Sequence, residues 1–118
     1  MGNTNFEPSV LKKTYQFYLN ITNCLNNFPK RKRYTLGEKI DNSVLALIEI
    51  ISLANVQIRT MREPIVHNAS AKCELIKILI RVGFDLSLIN NHQYLDLEKQ
   101  IQEIGKMIGG WIKFLRAQ

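Results

Sequence analysis

The residues with the most distinct chemistry are four consecutive cations, Lys30, Arg31, Lys32 and Arg33, which directly follow Pro29. Like charges at this density repel one another, and a protein keeps them either for solubility or to meet an anion. If each side chain reached a phosphate of duplex nucleic acid, the log–log salt slope of binding would steepen by about 0.9 per contact. We therefore predict a loop that binds nucleic acid, with a merely solvated loop as the alternative.

An aromatic residue, Tyr34, comes directly after these cations. Aromatic side chains beside basic residues can stack on unpaired bases. Tyr34 also stands just ahead of Thr35, which begins a Thr-x-x-Glu pattern typical of a helix N-terminus, so it could serve as a hydrophobic staple. Of the two interpretations, the staple is the one we favour.

A second basic group, Lys72, Lys77 and Arg81, falls within one later segment. In an oligomer these cations would be repeated around the symmetry axis and would concentrate positive potential there. The alternative is that they form ion pairs along their own helix, Lys77 with Glu74 and Arg81 with Asp85, worth a few tenths of a kcal/mol each.

Residue types that support catalysis or metal binding are few and scattered. Glu63 and His67 are four apart and could share a helix face, but a di-iron bundle site needs Glu-x-x-His on two helices plus further carboxylates. We find no Ser, His and Asp combination, Gly-rich phosphate loop or C-x-x-C pair. We therefore expect neither enzymatic activity nor a metal or cofactor, and we expect Cys24 and Cys73 to be reduced core residues.

The elements that position these residues are predicted to be helices within one domain spanning residues 1–118. Three prolines and six glycines in 118 residues are too few turn signals for an all-β chain. Apolar residues recur at steps of three and four in four segments, which predicts helices at about 8–28, 35–59, 63–89 and 92–116. Short connections make neighbouring helices antiparallel, so we predict an all-α, up-down-up-down four-helix bundle.

Local signals mark the ends of these helices. Pro29 ends the first, and a capping box from Thr35 to Glu38 starts the second. Pro64 suits the first turn of the third helix, and Asn90-Asn91 can supply a left-handed stop followed by the next N-cap.

The third helix is too apolar to hide its side chains in one bundle. Ten of the fifteen residues from Leu75 to Ile89 are large and apolar, whereas a bundle helix buries a face of somewhat over 100°. We expect a homo-oligomer that packs through the outer faces of the third and first helices; the alternative is a larger core that absorbs the excess. The residues that lie off the predicted core positions are Tyr15, Phe17, Phe84 and Leu88.

The fourth helix carries two glycines four apart, Gly105 and Gly109. A glycine in a helix interior costs about 1 kcal/mol relative to alanine, so a packing reason is the natural explanation. We predict a close helix contact at these glycines. Trp111 belongs to the regular apolar positions of the same helix, which are Tyr94, Leu97, Ile101, Ile104, Ile108, Trp111 and Leu115.

Charge and hydropathy bear on partners and location. Sixteen Lys and Arg against ten Asp and Glu give a net charge of +6, which suggests an acidic partner. No run of 18 apolar residues occurs, so we expect no membrane span. The segment Met1 to Glu7 is polar and has no signal-peptide core, which predicts a cytoplasmic location.

Two strings carry a resemblance to a known family. They are Tyr34-Thr-Leu-Gly-Glu-Lys-Ile-Asp41, which follows Phe28-Pro29-Lys30, and Ile101-Gln-Glu-Ile-Gly-Lys-Met-Ile-Gly-Gly-Trp-Ile-Lys113. The chain resembles, from about Tyr15 to Lys113, the accessory variability determinant (Avd) proteins of diversity-generating retroelements. It is also similar to the four-helix proteins encoded by intervening sequences in bacterial 23S ribosomal RNA genes.

The resemblance implies a homopentamer of four-helix bundles with a basic surface. It implies binding to a reverse transcriptase and to RNA or DNA in support of mutagenic retrohoming, without catalytic activity. In one departure, Phe84 and Ser87 stand where the family often carries Lys or Arg, which weakens the implied nucleic-acid contact on that face. The departure gives weight to the alternative, a structural or RNA-interaction module of the intervening-sequence type.

Overall fold

The computed structural model describes residues 6–118 of the chain, with side chains from Ser9 onward. Residues 1–5, which carry most of the polar segment behind the cytoplasmic prediction, lie outside the described residues. Within residues 6–118 the regular structure is entirely helical. The helices are α1 (Phe6–Leu25), α2 (a first turn Lys30–Lys32, a π-helical segment Arg33–Gly37 and a long part Glu38–Val56), α3 (Arg59–Asp85) and α4 (Asn91–Arg116).

Each helix packs beside the next, and α4 also packs against α1, which closes the bundle. Short connections make all four neighbouring pairs antiparallel, so α1 and α3 lie diagonally across the bundle. The body measures 46 × 23 × 19 Å. The predicted all-helical, four-helix architecture is confirmed.

The apolar positions of α4 form one wall of the core, as predicted. Tyr94 and Leu115, at its two ends, are half-buried, and Ile112 is buried as an additional position. The buried apolar positions of α2 are Ile40, Val44, Leu47, Ile51 and Ala54, whereas Ile58, beyond the helix end at Val56, is 69% exposed. The fully packed core positions of α4 are Leu97, Ile101, Ile104, Ile108 and Trp111.

The buried face of α1 includes Phe17, which has no exposed surface, so its expected place on the outside of the bundle was wrong. Tyr18, the next residue, lies at the margin of the core, where its hydroxyl donates to Asp41 Oδ1 at 2.8 Å. A buried hydroxyl needs a partner, and this position supplies one.

Three of the predicted helix ends move by four or five residues. α2 is helical from Lys30 rather than Thr35, and α3 starts at Arg59, so Pro64 lies inside it rather than in its first turn. α3 ends at Asp85, where Ser87, with φ 62°, takes the left-handed conformation that was expected of an asparagine.

The predicted N-cap of α4 is confirmed. The Asn90 side chain accepts from the Gln93 amide at 2.8 Å, and the Gln93 side chain accepts from the Asn90 amide at 3.0 Å. This reciprocal pair satisfies two amides that the helix start would otherwise leave unbonded.

The close helix contact predicted at Gly105 and Gly109 is not made within the described chain. A Cβ at Gly109 would meet no atom within 4 Å, and one at Gly105 would meet only Lys77 Nζ, at 3.9 Å. The tight position is Gly83, where a Cβ would lie 2.7 Å from Ile89 Cδ1. A role for Gly105 and Gly109 between copies of the chain stays a prediction.

The outer apolar surface also differs from the expected set. Phe84 is half-buried and stacks on Tyr94 with ring centroids 4.4 Å apart, and Leu88 packs against the core. The described helices include none that is long and apolar enough to cross a membrane. The exposed apolar side chains on the two diagonal helices are Met61, Ile78 and Val82 on α3 and Tyr15 and Leu19 on α1, and Leu86, which directly follows α3, is exposed as well.

Candidate nucleic-acid interface

The four-cation run forms the start of α2 and not a loop, which corrects the prediction. Proline fixes its own φ and is followed readily by helix, and the Pro29 carbonyl accepts from the amides of Lys32 and Arg33, both at 2.9 Å. Successive residues in a helix point about 100° apart, so the side chains spread around the end of the bundle. Lys30, Arg31 and Arg33 are exposed, and Lys32 is half-buried.

The electrostatics of this turn favour an anion. The first turn of α2 consists of Lys30, Arg31 and Lys32 and contains no acidic residue. Helix N-termini carry a partial positive charge that anions stabilise and cations destabilise by a few tenths to about 1 kcal/mol each. Cations and helix dipole therefore repel each other here, and a bound phosphate would relieve that repulsion.

The π-helical segment replaces the predicted capping box. Thr35 caps nothing; its hydroxyl donates back to the Arg31 and Lys32 carbonyls, both at 3.3 Å. Without a cap at Thr35 there is no staple position before it, so the favoured interpretation of Tyr34 was wrong. Tyr34 is instead 63% exposed as the second residue of the π-helical segment.

A groove of about 290 Å³ runs between the end of α1 and this segment. Arg33 spans its rim, with Nη2 donating to the Asn26 carbonyl at 3.4 Å. Asp41 accepts from Tyr18, and this hydrogen bond, aided by burial, raises the pKa of the Tyr18 phenol. The groove is lined by Thr22, Leu25, Asn26, Arg33, Tyr34, Gly37, Glu38 and Asp41.

The three cations of α3 do not form one cluster. Lys72 lines a groove with Ile50 of α2, whereas Lys77 lines a groove with Gly105 and Lys106 of α4. A separation of five residues turns the helix by about 140°, which places Lys72 and Lys77 on different sides. The concentration of positive potential expected from the three together is therefore split between two faces.

Two of these cations are paired on their own helix, as the alternative interpretation held. Lys77 Nζ lies 3.0 Å from Glu74 Oε2, and Arg81 Nε lies 3.0 Å from Asp85 Oδ1. Arg81 also lies over the Tyr94 ring, 5.9 Å from its centroid. Tyr94 and Asp85 raise the pKa of the guanidinium, so Arg81 carries a charge that is already partly neutralised.

A separate polar cluster lies at the opposite end of the bundle from Lys30. Glu63 and His67 share a face of α3, as predicted, with His67 Nε2 3.4 Å from Glu63 Oε2. Arg116 of α4 joins them, donating to Glu63 at 2.9 Å, and this bond holds the Glu63 pKa below its usual value. Among residues 6–118, no three His, Cys, Asp or Glu side chains converge as a metal site would require.

Sequence reasoning undervalued Tyr34 and missed the groove beside it. The Thr35-x-x-Glu38 pattern pointed to a cap, and the signal against it was Pro29, which can start a helix as well as end one. Because the helix starts five positions earlier than predicted, Tyr34 falls on an exposed helical surface rather than before a cap.

The fold and the surface together define an all-helical four-helix bundle with open grooves and exposed cations. The bAvd-like family model matches residues 9–115, nearly the whole chain. The chain belongs to the bAvd-like family, which confirms the resemblance, and this is a family of non-catalytic accessory proteins of the kind found in diversity-generating retroelements. A search of curated proteins found no match.

Proposed function

We propose that this protein is the accessory component of a diversity-generating retroelement, which binds the reverse transcriptase and nucleic acid to support mutagenic retrohoming. Its template RNA or the DNA copied from it is the nucleic-acid partner. The observation that carries the proposal is the start of α2, a turn made only of cations on a bundle that matches the bAvd-like family over residues 9–115.

The charge distribution supports Lys30 to Arg33 as the main phosphate contact. Lys77 and Arg81 of α3 are paired with Glu74 and Asp85, whereas the first turn of α2 adds its own helix dipole to the attraction of an anion. Phosphate contacts position a nucleic acid without reading its sequence. We expect binding that is strongly salt-dependent and weakly sequence-specific, with Lys72, Lys77 and Arg81 as secondary contacts to nucleic acid or polymerase.

We also propose that the protein acts as a homo-oligomer, a pentamer as in Avd proteins. The exposed apolar side chains of α3 and α1 lie on diagonal helices, so the two faces point to opposite sides of one protomer. Two different faces that meet head to tail produce a ring when the rotation closes. A ring repeats the Lys30 turn once per subunit and lets one particle hold polymerase and template together.

The proposal is tested by removing three charges from the start of α2. The variant Lys30→Gln, Arg31→Gln, Lys32→Gln keeps Arg33, whose guanidinium contacts Asn26. Each lost phosphate contact flattens the log–log salt slope by about 0.7 on single strands and about 0.9 on duplex. We expect a weaker Kd and a slope flatter by about 2, measured by fluorescence anisotropy across a salt series.

A matched control separates a local site from net charge. Lys99, Lys106 and Lys113 are exposed on one face of α4, seven residues apart, and their triple change to Gln removes the same three charges. Equal losses in both triple variants would contradict a site at α2. If the parent protein binds no nucleic acid at low salt, the structural module of the intervening-sequence type takes the place of this proposal.

A further inference from the structure

Tyr34 is a large aromatic side chain exposed to water directly after four consecutive cations. It is 63% exposed, it follows Arg33 directly, and it lies in a π-helical segment, a distortion that is frequent at functional sites. In the described chain the ring neither covers the core nor supports a helix cap. An exposed ring of this kind is available to stack on a ligand.

The groove beside the ring is built to separate a base from its phosphates. The cations Lys30 to Arg33 lie on the side of the groove where the helix starts. Glu38 and Asp41 lie one and two turns further along α2, on the same face as Tyr34. A phosphate is attracted to the first group and repelled by the second. A nucleobase carries no charge and its amino groups can donate to carboxylates, so it tolerates both.

The shape of the groove agrees with a flat ligand. Gly37 lines the groove without a side chain, and a Cβ there would stand 3.4 Å from the Lys32 carbonyl oxygen and 3.5 Å from Phe28 Cδ2. Leu25 adds an apolar wall from α1. An aromatic ring, an apolar wall and a carboxylate rim are typical of sites that take an unstacked base.

We propose that Tyr34 stacks on an unpaired base while Lys30 to Arg33 hold the flanking phosphates, so that this end of the bundle binds single-stranded RNA or DNA in preference to duplex. Duplex bases are already stacked on each other and present no free face to the ring. The inference rests on the proposed nucleic-acid binding and specifies the form of nucleic acid that is bound.

The experiment compares Tyr34→Ala with the parent protein on three labelled ligands of equal length: a single-stranded RNA, a single-stranded DNA and a duplex DNA. Loss of one stacked base corresponds to a Kd about 5 to 150 times weaker. We expect that loss on both single strands, a change of less than about two-fold on duplex, and recovery in Tyr34→Phe, which keeps the ring. A loss on only one of the single strands identifies the nucleic acid that the site takes.

Leu95→Ala is the matched control, because Leu95 is 60% exposed on α4 and does not line the groove, and the change removes a large apolar side chain. In addition, Tyr34→Trp places a reporter in the site, whose fluorescence a stacked base quenches while the buried Trp111 stays constant. Equal losses on duplex and single strands, or none on either, would overturn the stacking role even if the Lys30 turn binds nucleic acid. If the parent binds no ligand, the proposed function fails as well.

Discussion

At the scale of single residues, the surface charges fall into two groups. Lys77, Arg81 and Arg116 each lie about 3 Å from a carboxylate, so their fields are locally cancelled. Exposed pairs of this kind contribute little to stability, and their main effect is to neutralise these cations locally. The start of α2, by contrast, has three consecutive cations and no acidic residue in its first turn.

The pair between Arg116 and Glu63 predicts a pH effect on stability. The Glu63 pKa is lower in the folded chain than its usual 4.5, so ionised Glu63 stabilises the fold above that pH and the contribution is lost as pH falls through the folded value. We expect Arg116→Gln to return the Glu63 pKa toward 4.5, measured by carboxyl titration in NMR spectra.

Lys113→Gln is the control for that experiment, since Lys113 is an exposed cation in the same last turn of α4. Both variants lose one positive charge, and only Arg116→Gln loses the 2.9 Å bond. A Glu63 pKa that moves equally in the two variants would show that net charge, and not this contact, lowers it.

At the scale of the elements, the chain that follows α3 packs tightly against the end of that helix. The Gly83 carbonyl accepts from the amides of Leu88 and Ile89, at 2.9 and 3.2 Å, which folds the chain back sharply after the helix. Ile89, 2% exposed, then lies against the Cα of Gly83. The connection to α4 packs only because position 83 has no side chain.

Gly83→Ala is therefore expected to destabilise the protein. A Cβ 2.7 Å from Ile89 Cδ1 and 3.1 Å from Cγ1 forces a buried side chain to move, at a typical cost of 1–3 kcal/mol for overpacking. Improved helix propensity offsets about 1 kcal/mol of this. We expect a free energy of unfolding lower by about 1 kcal/mol in urea denaturation.

Gly109→Ala makes the same change where a Cβ meets open space, and it should raise the free energy of unfolding by up to about 1 kcal/mol. The same substitution, glycine to alanine, is thus expected to lower the free energy of unfolding at position 83 and to raise it at position 109. Destabilisation at Gly109 would mean that another copy of the chain packs against it.

At the scale of the whole molecule, the remaining apolar surface bears on assembly. Ile78, Val82 and Leu86 form a stripe at steps of four along α3, with exposed fractions of 60%, 37% and 49%. Contiguous exposed apolar surface of this kind is uncommon on monomers and marks interaction sites. The excess of apolar residues seen in the third helix therefore does not disappear into a larger core.

We expect light scattering at moderate salt to give a mass near five times the 13.7 kDa of the chain. Ile78→Glu with Val82→Glu places two charges in the stripe and should lower that mass, because desolvated unpaired charges oppose the contact. Leu95→Glu, at a 60% exposed position on α4, is the control and should leave the measured mass unchanged. A parent protein that runs at 13.7 kDa would contradict assembly through α3.

The local parts of this fold could be predicted because they depend on neighbours in sequence. The four helices, the apolar positions of α4 and the Asn90 cap all follow from periodicity and from side chains that bond within one turn. The family resemblance at Ile101 to Lys113 was likewise visible in the chain and is confirmed by the family match.

The tertiary structure decided what depends on partners distant in sequence. Whether Phe17 or Tyr18 faces the core is settled by α2, since Asp41 offers the Tyr18 hydroxyl a hydrogen bond at the bundle margin. Gly83 is the glycine that has no room for a Cβ, because Ile89 folds back onto it. The spacing of apolar residues within a helix does not predict this contact. Sequence alone determined four amphipathic helices and a basic run; packing determined that the run starts a helix and leaves Tyr34 exposed beside a groove.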